Sequence, residues 1–159
     1  MTDMNNQHNS ISYEIFGEGQ SIFFIHGIGS RKHSWNNIIR KLEDKYKCIT
    51  YDLRGHGDSQ TKNYNFTLDD LLADLEILRK KLDINKFHIV GHSLGGMIGP
   101  SYARKYKNVI SLSILSTAAF RTINEQEKIL NIIKKIEKDG LDLILPNLIN
   151  RWFTEKFIK

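Results

Sequence analysis

Phe87-His88-Ile89-Val90-Gly91-His92-Ser93-Leu94-Gly95-Gly96 joins a short, mostly apolar run to a Gly-x-Ser-x-Gly turn, with a helix-forming segment behind it. A strand that reverses sharply into a helix through a serine has a steric reason for its glycines. The turn strains the serine backbone and brings neighbouring chain close, so side chains at Gly91 and Gly95 would clash. The serine hydroxyl is then held at the tip of the turn. Behind it lies a helix N-terminus whose free N–H groups can stabilise developing negative charge. Ser93 is therefore a candidate nucleophile for acyl transfer.

Working outward, the elements alternate. Ile11–Phe16 alternates in polarity and ends at Gly17-Glu18-Gly19, which predicts a strand and a turn. Ser21–Ile25 is continuously apolar, as in a strand buried on both faces of a parallel sheet. A helix is predicted from Trp35 to Lys45 with Trp35, Ile38, Ile39 and Leu42 on one face, then a strand at Cys48–Tyr51. Leu68, Leu71, Leu72, Leu75, Leu78 and Leu82 make one apolar stripe and predict a helix over 68–82, with Thr67 as N-cap and Asp70 beside it. The serine strand follows, then a helix to about Tyr106 that contains Gly99-Pro100, then a strand at Val109–Leu115. Strand, helix, strand, helix, strand is the pattern of a mostly parallel α/β sheet flanked by helices.

After residue 119 the pattern changes. Thr122 and Glu125 form a potential capping box, and Ile129, Ile132, Ile133 and Ile136 a helical stripe that ends near Gly140. Leu141–Ile149 reads as a second helix in which Pro146 is a potential break. The expected division is 1–119 and 120–159.

Composition narrows the class. A chain of 159 residues, 40% hydrophobic with two prolines, has enough material for one folded core. No run approaches the 18 or so apolar residues of a membrane span, and the polar N-terminus lacks the layout of a signal peptide. Cys48 is alone, so no disulfide framework is available, and a cytoplasmic location is expected. The net charge of +5 arises from scattered lysines, mostly late in helical segments, so no nucleic-acid partner is expected.

Parallel α/β sheets place ligands at the carboxyl ends of their strands. Three consecutive strand ends carry unusual residues here: His26-Gly27-Ile28, with Trp35 downstream; Asp52-x-Arg54-Gly55-His56-Gly57-x-Ser59; and Gly91-His92-Ser93-Leu94-Gly95-Gly96. Together, over about residues 10–118, they resemble the α/β-hydrolase superfamily. The resemblance implies Ser93 as nucleophile and an oxyanion hole made by the backbone N–H groups of Ile28 and Leu94. His26, Gly27, Gly91, His92 and Gly95 would shape these loops. By the same resemblance His26 shapes the oxyanion loop and is not a base, Asp52 makes a structural turn, and residues 120–159 begin a helical cap. Arg151-Trp152-Phe153-Thr154-Glu155-Lys156-Phe157 is similar to the cap motif of 3-oxoadipate enol-lactonase-like hydrolases, with Glu155 where a proline is usual.

Of the remaining histidines, His92 is expected to point away from Ser93 and His56 to brace its own loop. His88 is expected in the core or facing a helix, and His8 and His33 at exposed loops. The implied substrate is a small acyl compound (an ester, lactone or thioester), with no cofactor or metal. In this superfamily the acid and the histidine follow the serine, on loops after later strands. Neither has a position before Lys159, so the fold is expected to be incomplete and the chain to stop within the cap. It would then be inactive or weak by itself, with the Val109–Leu115 strand at an unpaired sheet edge open to association. Two other readings remain: a non-catalytic remnant or interaction module, and a half-enzyme completed by another chain.

Overall fold

The computed structural model describes residues 10–62, 64–118 and 120–158; His8 lies outside them. Five strands form one sheet in the order β1-β3-β2-β4-β5. They are β1 (Tyr13–Phe16), β2 (Gln20–Ile25), β3 (Tyr46–Tyr51), β4 (Phe87–His92) and β5 (Val109–Leu115). β1 pairs antiparallel with β3, and every other pairing is parallel. The sheet is thus mostly parallel with helices beside it, as the alternation predicts.

Side-chain alternation along β2 divides the core. Phe23 and Ile25 join Ile49, Tyr51, Phe87 and Ile89 beneath α2 (Leu68–Lys81) and α3 (Leu94–Tyr106). Ile22 and Phe24 face the other way, against Trp35, Ile39 and the buried Cys48 thiol. The α2 stripe delivers Leu71, Leu72, Leu75 and Leu78 to the first layer, each worth about 1.5–3 kcal/mol when fully buried. Its capping box is formed: Thr67 N–H donates to Asp70 Oδ2 at 2.8 Å, and Asp70 N–H to Thr67 Oγ1 at 3.4 Å.

The helix expected over 35–45 is much shorter. A 3-10 turn at Lys32–Trp35 leads into α1 (Asn36–Ile39), and residues 40–45 are turns. Ile38 is exposed there, whereas Trp35 and Ile39 are buried. Two asparagines followed by two β-branched residues give poor helix propensity, and the predicted stripe does not outweigh it. Pro100 does not break α3, and Pro146 does not break α5 (Leu141–Trp152).

Residues 1–118 and 119–159 are separate compact units. In the second, α4 (Ile123–Asp139) begins at the Thr122–Glu125 capping box and lies against α5, with a short α6 (Glu155–Ile158) after it. Ile129, Ile132 and Ile136 are half-buried, while Ile133 is exposed and so falls outside the predicted stripe. Among the described residues no helix is long and apolar enough to cross a membrane.

Candidate active site

The chain runs from β2 to β3 on one side and then crosses back to β4 on the other. The crevice beyond the carboxyl ends of β2 and β4 is therefore the switch point at which open α/β sheets bind ligands. His26-Gly27 leaves β2 there, and Ser93 leaves β4.

Ser93 has φ 52° and ψ −111°, a conformation that costs a non-glycine residue about 1–3 kcal/mol and persists only when its surroundings impose it. The surroundings do impose it. A Cβ at Gly91 would overlap the Gly95 carbonyl, and a Cβ at Gly95 would overlap the Ile25 carbonyl of β2. Ser93 N–H donates to Leu115 O at 2.9 Å, which ties the elbow to the end of β5. Ser93 itself is half-buried.

Gly27 brings the second loop to the serine. A Cβ there would lie 2.9 Å from Ser93 Cβ and 3.1 Å from His92 Nδ1, so only glycine permits this approach. Ile28 follows and is exposed. Among the described residues neither Ile28 N–H nor Leu94 N–H donates to a backbone carbonyl. Leu94 directly follows the serine, and Ile28 directly follows Gly27.

His26 is buried, and both its ring nitrogens are engaged. Nδ1 lies 2.8 Å from Gly27 O and must donate to it, while Nε2 accepts Leu53 N–H at 3.0 Å. This fixes one neutral tautomer, and burial lowers the ring's pKa. His26 therefore links the β2 loop to the β3 loop.

The β3 loop is held by buried charge. Asp52 accepts Lys32 N–H at 2.6 Å, Lys32 Nζ at 2.9 Å and Asp58 N–H at 2.9 Å. Burial opposes its ionisation, but these bonds outweigh it and hold the carboxyl below its usual range. Arg54 grips Asp74 of α2 in a two-point pair at 2.8 and 2.6 Å. The buried Lys32 and the pairing of Asp74 escape sequence reading, because each partner lies about 20 residues away in another element.

His56 Nδ1 is 3.1 Å from Arg54 O, within its own loop. His33 Nε2 meets Glu14 at 3.0 Å and is exposed. His88 corrects the expectation: it is only half-buried, and its Nδ1 lies 2.7 Å from Ser111 Oγ on β5, because β4 presents it to the lightly covered side of the terminal strand. His92 is exposed. Among the described residues no histidine or carboxylate is hydrogen-bonded to Ser93 Oγ, and no cluster of His, Cys, Asp or Glu could hold a metal ion.

Residues 20–136 match the family model for the alpha/beta hydrolase fold. The chain belongs to the α/β-hydrolase family. Among its relatives is 3-oxoadipate enol-lactonase 2 of Acinetobacter baylyi, 29% identical over 155 residues, or 96% of this chain and 58% of that protein. Two solved structures superpose well. A thermophilic esterase from Thermogutta terrifontis gives a TM-score of 0.82 at 25% identity, covering 94% of this chain and 56% of that one. The enol-lactonase of Burkholderia xenovorans LB400 gives 0.86 at 24% identity, covering 94% and 59%. This α/β-hydrolase chain thus spans a little over half the length of these proteins.

Proposed function

We propose that this chain carries the nucleophile and oxyanion hole of a serine hydrolase that acts on an ester, lactone or thioester. Ser93 Oγ attacks the acyl carbon, and the carbonyl oxygen takes up negative charge between the N–H groups of Ile28 and Leu94. One observation carries the reading: Gly27 admits the β2 loop to within contact of the strained Ser93 at the switch point of the sheet. Two otherwise unrelated loops are thereby brought to one reacting atom. Residues 1–118 correspond to the core of such an enzyme and residues 119–159 to the beginning of its cap.

A serine hydroxyl without a base is almost wholly protonated and a weak nucleophile. Loss of the base alone costs such an enzyme roughly a millionfold, and an oxyanion hole with binding retains about a thousandfold over water. We infer that residues 1–159 acylate slowly by themselves and that an acid and a histidine are supplied from outside them. The enol-lactonase and esterase relatives favour a compact ester or lactone as substrate.

A fluorophosphonate probe with peptide mapping tests this. Slow modification confined to Ser93, lost in Ser93→Ala, is expected. A folded chain left unmodified at Ser93, or modified equally in Ser93→Ala, overturns it and favours a non-catalytic module. Ile110, Ile114 and Leu115 on the terminal strand are exposed, so we also infer association through this edge. Sedimentation showing a monomer at all concentrations would refute that.

A further inference from the structure

Thr117 lies just beyond β5, and no chemistry in the preceding sections requires it. Its hydroxyl is 3.0 Å from Ser93 O and 3.2 Å from Leu115 O. Leu115 O already accepts Ser93 N–H at 2.9 Å. The other donor to Ser93 O is Met97 N–H, at a long 3.3 Å. The elbow is therefore held from both sides by the end of β5: its N–H by Leu115, its C=O by Thr117.

The carbonyl grip has a consequence set by covalent geometry. Ser93 C=O and Leu94 N–H belong to one planar trans peptide and point in opposite directions. A hydroxyl that fixes the oxygen also fixes the direction of the N–H. Donation to the carbonyl further polarises the peptide and makes its N–H a better donor. Space is reserved for this arrangement as well, because a Cβ at Gly96 would overlap Thr117 Oγ1.

We propose that Thr117 is a positioning residue that aims the Leu94 N–H by holding the Ser93 carbonyl. Its catalytic meaning rests on the reading of Leu94 as an oxyanion donor; the grip itself does not.

The experiment compares Thr117→Val, Thr117→Ala and Thr117→Ser in the full 159-residue chain. Thr117→Ala adds no bulk beside Gly96 and serves should the valine variant fail to fold. Removing the hydroxyl should speed amide exchange at Met97 and Ser93 by about two- to tenfold. It should also shift the Leu94 amide nitrogen resonance, with exchange at Leu75 and Leu78 unchanged. Thr117→Ser should restore all of these. The rate of fluorophosphonate modification at Ser93 should fall by about the same factor and recover with serine. An unmoved Leu94 resonance in both Thr117→Val and Thr117→Ala would mean that the hydroxyl serves Leu115 O instead, and would overturn the proposal. Serine failing to restore the signals would do the same. If they respond as expected while no variant, wild type included, is modified at Ser93, the grip stands and the hydrolase reading falls.

Discussion

Asp52→Asn is the substitution to which the loops around Ser93 should be most sensitive. The change preserves shape, so its effect isolates charge and donor–acceptor pattern. The aspartate side chain is fully buried and the Lys32 side chain 5% exposed, while the other carboxylate on Lys32, Asp58, is 73% exposed. With asparagine the ammonium stays buried, keeps Ser12 Oγ at 3.0 Å and has the solvated Asp58 as its one charged partner among the described residues, and an NH2 group replaces one acceptor oxygen among three donors. Breaking a buried pair from one side costs about 3–5 kcal/mol. With urea slopes of about 1–3 kcal/mol per molar, the unfolding midpoint should fall by about 1–5 M. Asp58→Asn should cost less than about 1 kcal/mol, because its charge is screened by water. Lys32→Met should fall between the two, since Asp52 keeps its two backbone donors.

Trp35 fluorescence in a Trp152→Phe background is a suitable probe, because Trp35 is buried and closes the same 3-10 turn that Lys32 opens. The pH dependence has a definite sign. Asp52 titrates below its ordinary 3.8 in the fold, so its stabilisation is complete above that value and is lost as pH falls beneath it. Asp52→Asn should therefore cost least in acid. Equal midpoints for Asp52→Asn and Asp58→Asn would refute the lock, and a penalty that grew in acid would refute the charge assignment.

Glu76→Gln tests a second buried cluster, in which hydrogen bonds from Arg79 at 2.8 and 2.9 Å and from Tyr102 hold the carboxyl at about 2. The wild-type advantage should be about 3 kcal/mol at neutral pH and shrink as pH falls from 4.5 towards 2; a gap that did not change with pH would exclude this account. Gly95→Ala drives a Cβ into the β2 backbone and should destabilise by about 3 kcal/mol or more, whereas Gly29→Ala meets nothing within 4 Å and should cost only about 1–2 kcal/mol for its φ of +73°, as thermal melts of the two would show.

What could be read in the sequence was what local pattern encodes. The Gly91–Gly96 turn, the apolar β2 run and the α2 stripe each express a steric or periodic rule within a dozen residues, and each stands in the structure where the pattern puts it. The short α1 shows the limit of periodicity, since the same residues that make a stripe also make a poor helix. Lys32, Glu76 and Arg79 show a different limit. Charged residues read as solvated faces unless a partner is known: Lys32 meets Asp52 across the β2–β3 crossover and Glu76 meets Tyr102 from α3, while Arg79 is buried by pairing with Glu76 one turn earlier on its own helix and with Ile84 O. Thr117 is invisible for a similar reason. Nothing in Ser-Thr-Ala after a strand announces that its hydroxyl reaches back 24 residues to the elbow carbonyl.

The buried polar groups share a direction. Lys32–Asp52 holds the β2 loop to the β3 loop, Arg54–Asp74 holds the β3 loop to α2, and His26 links the first two again through Gly27 and Leu53. Each consumes a residue that, read alone, looks like a candidate acid or base. Under the proposed function, what Ser93 gains from them is a rigid frame: an approach fixed at Gly27, with the peptide N–H groups of Ile28 and Leu94 next in chain to Gly27 and Ser93. Rigid placement of donors acts on the oxyanion and leaves the hydroxyl proton untouched. A base that reached Ser93 would therefore meet a site already organised. Acylation should then respond to the base through proton transfer and to the loop locks through oxyanion stabilisation. The two effects should be separable: losing a lock should lower the acylation rate without shifting its pH midpoint, whereas altering the base should shift the midpoint.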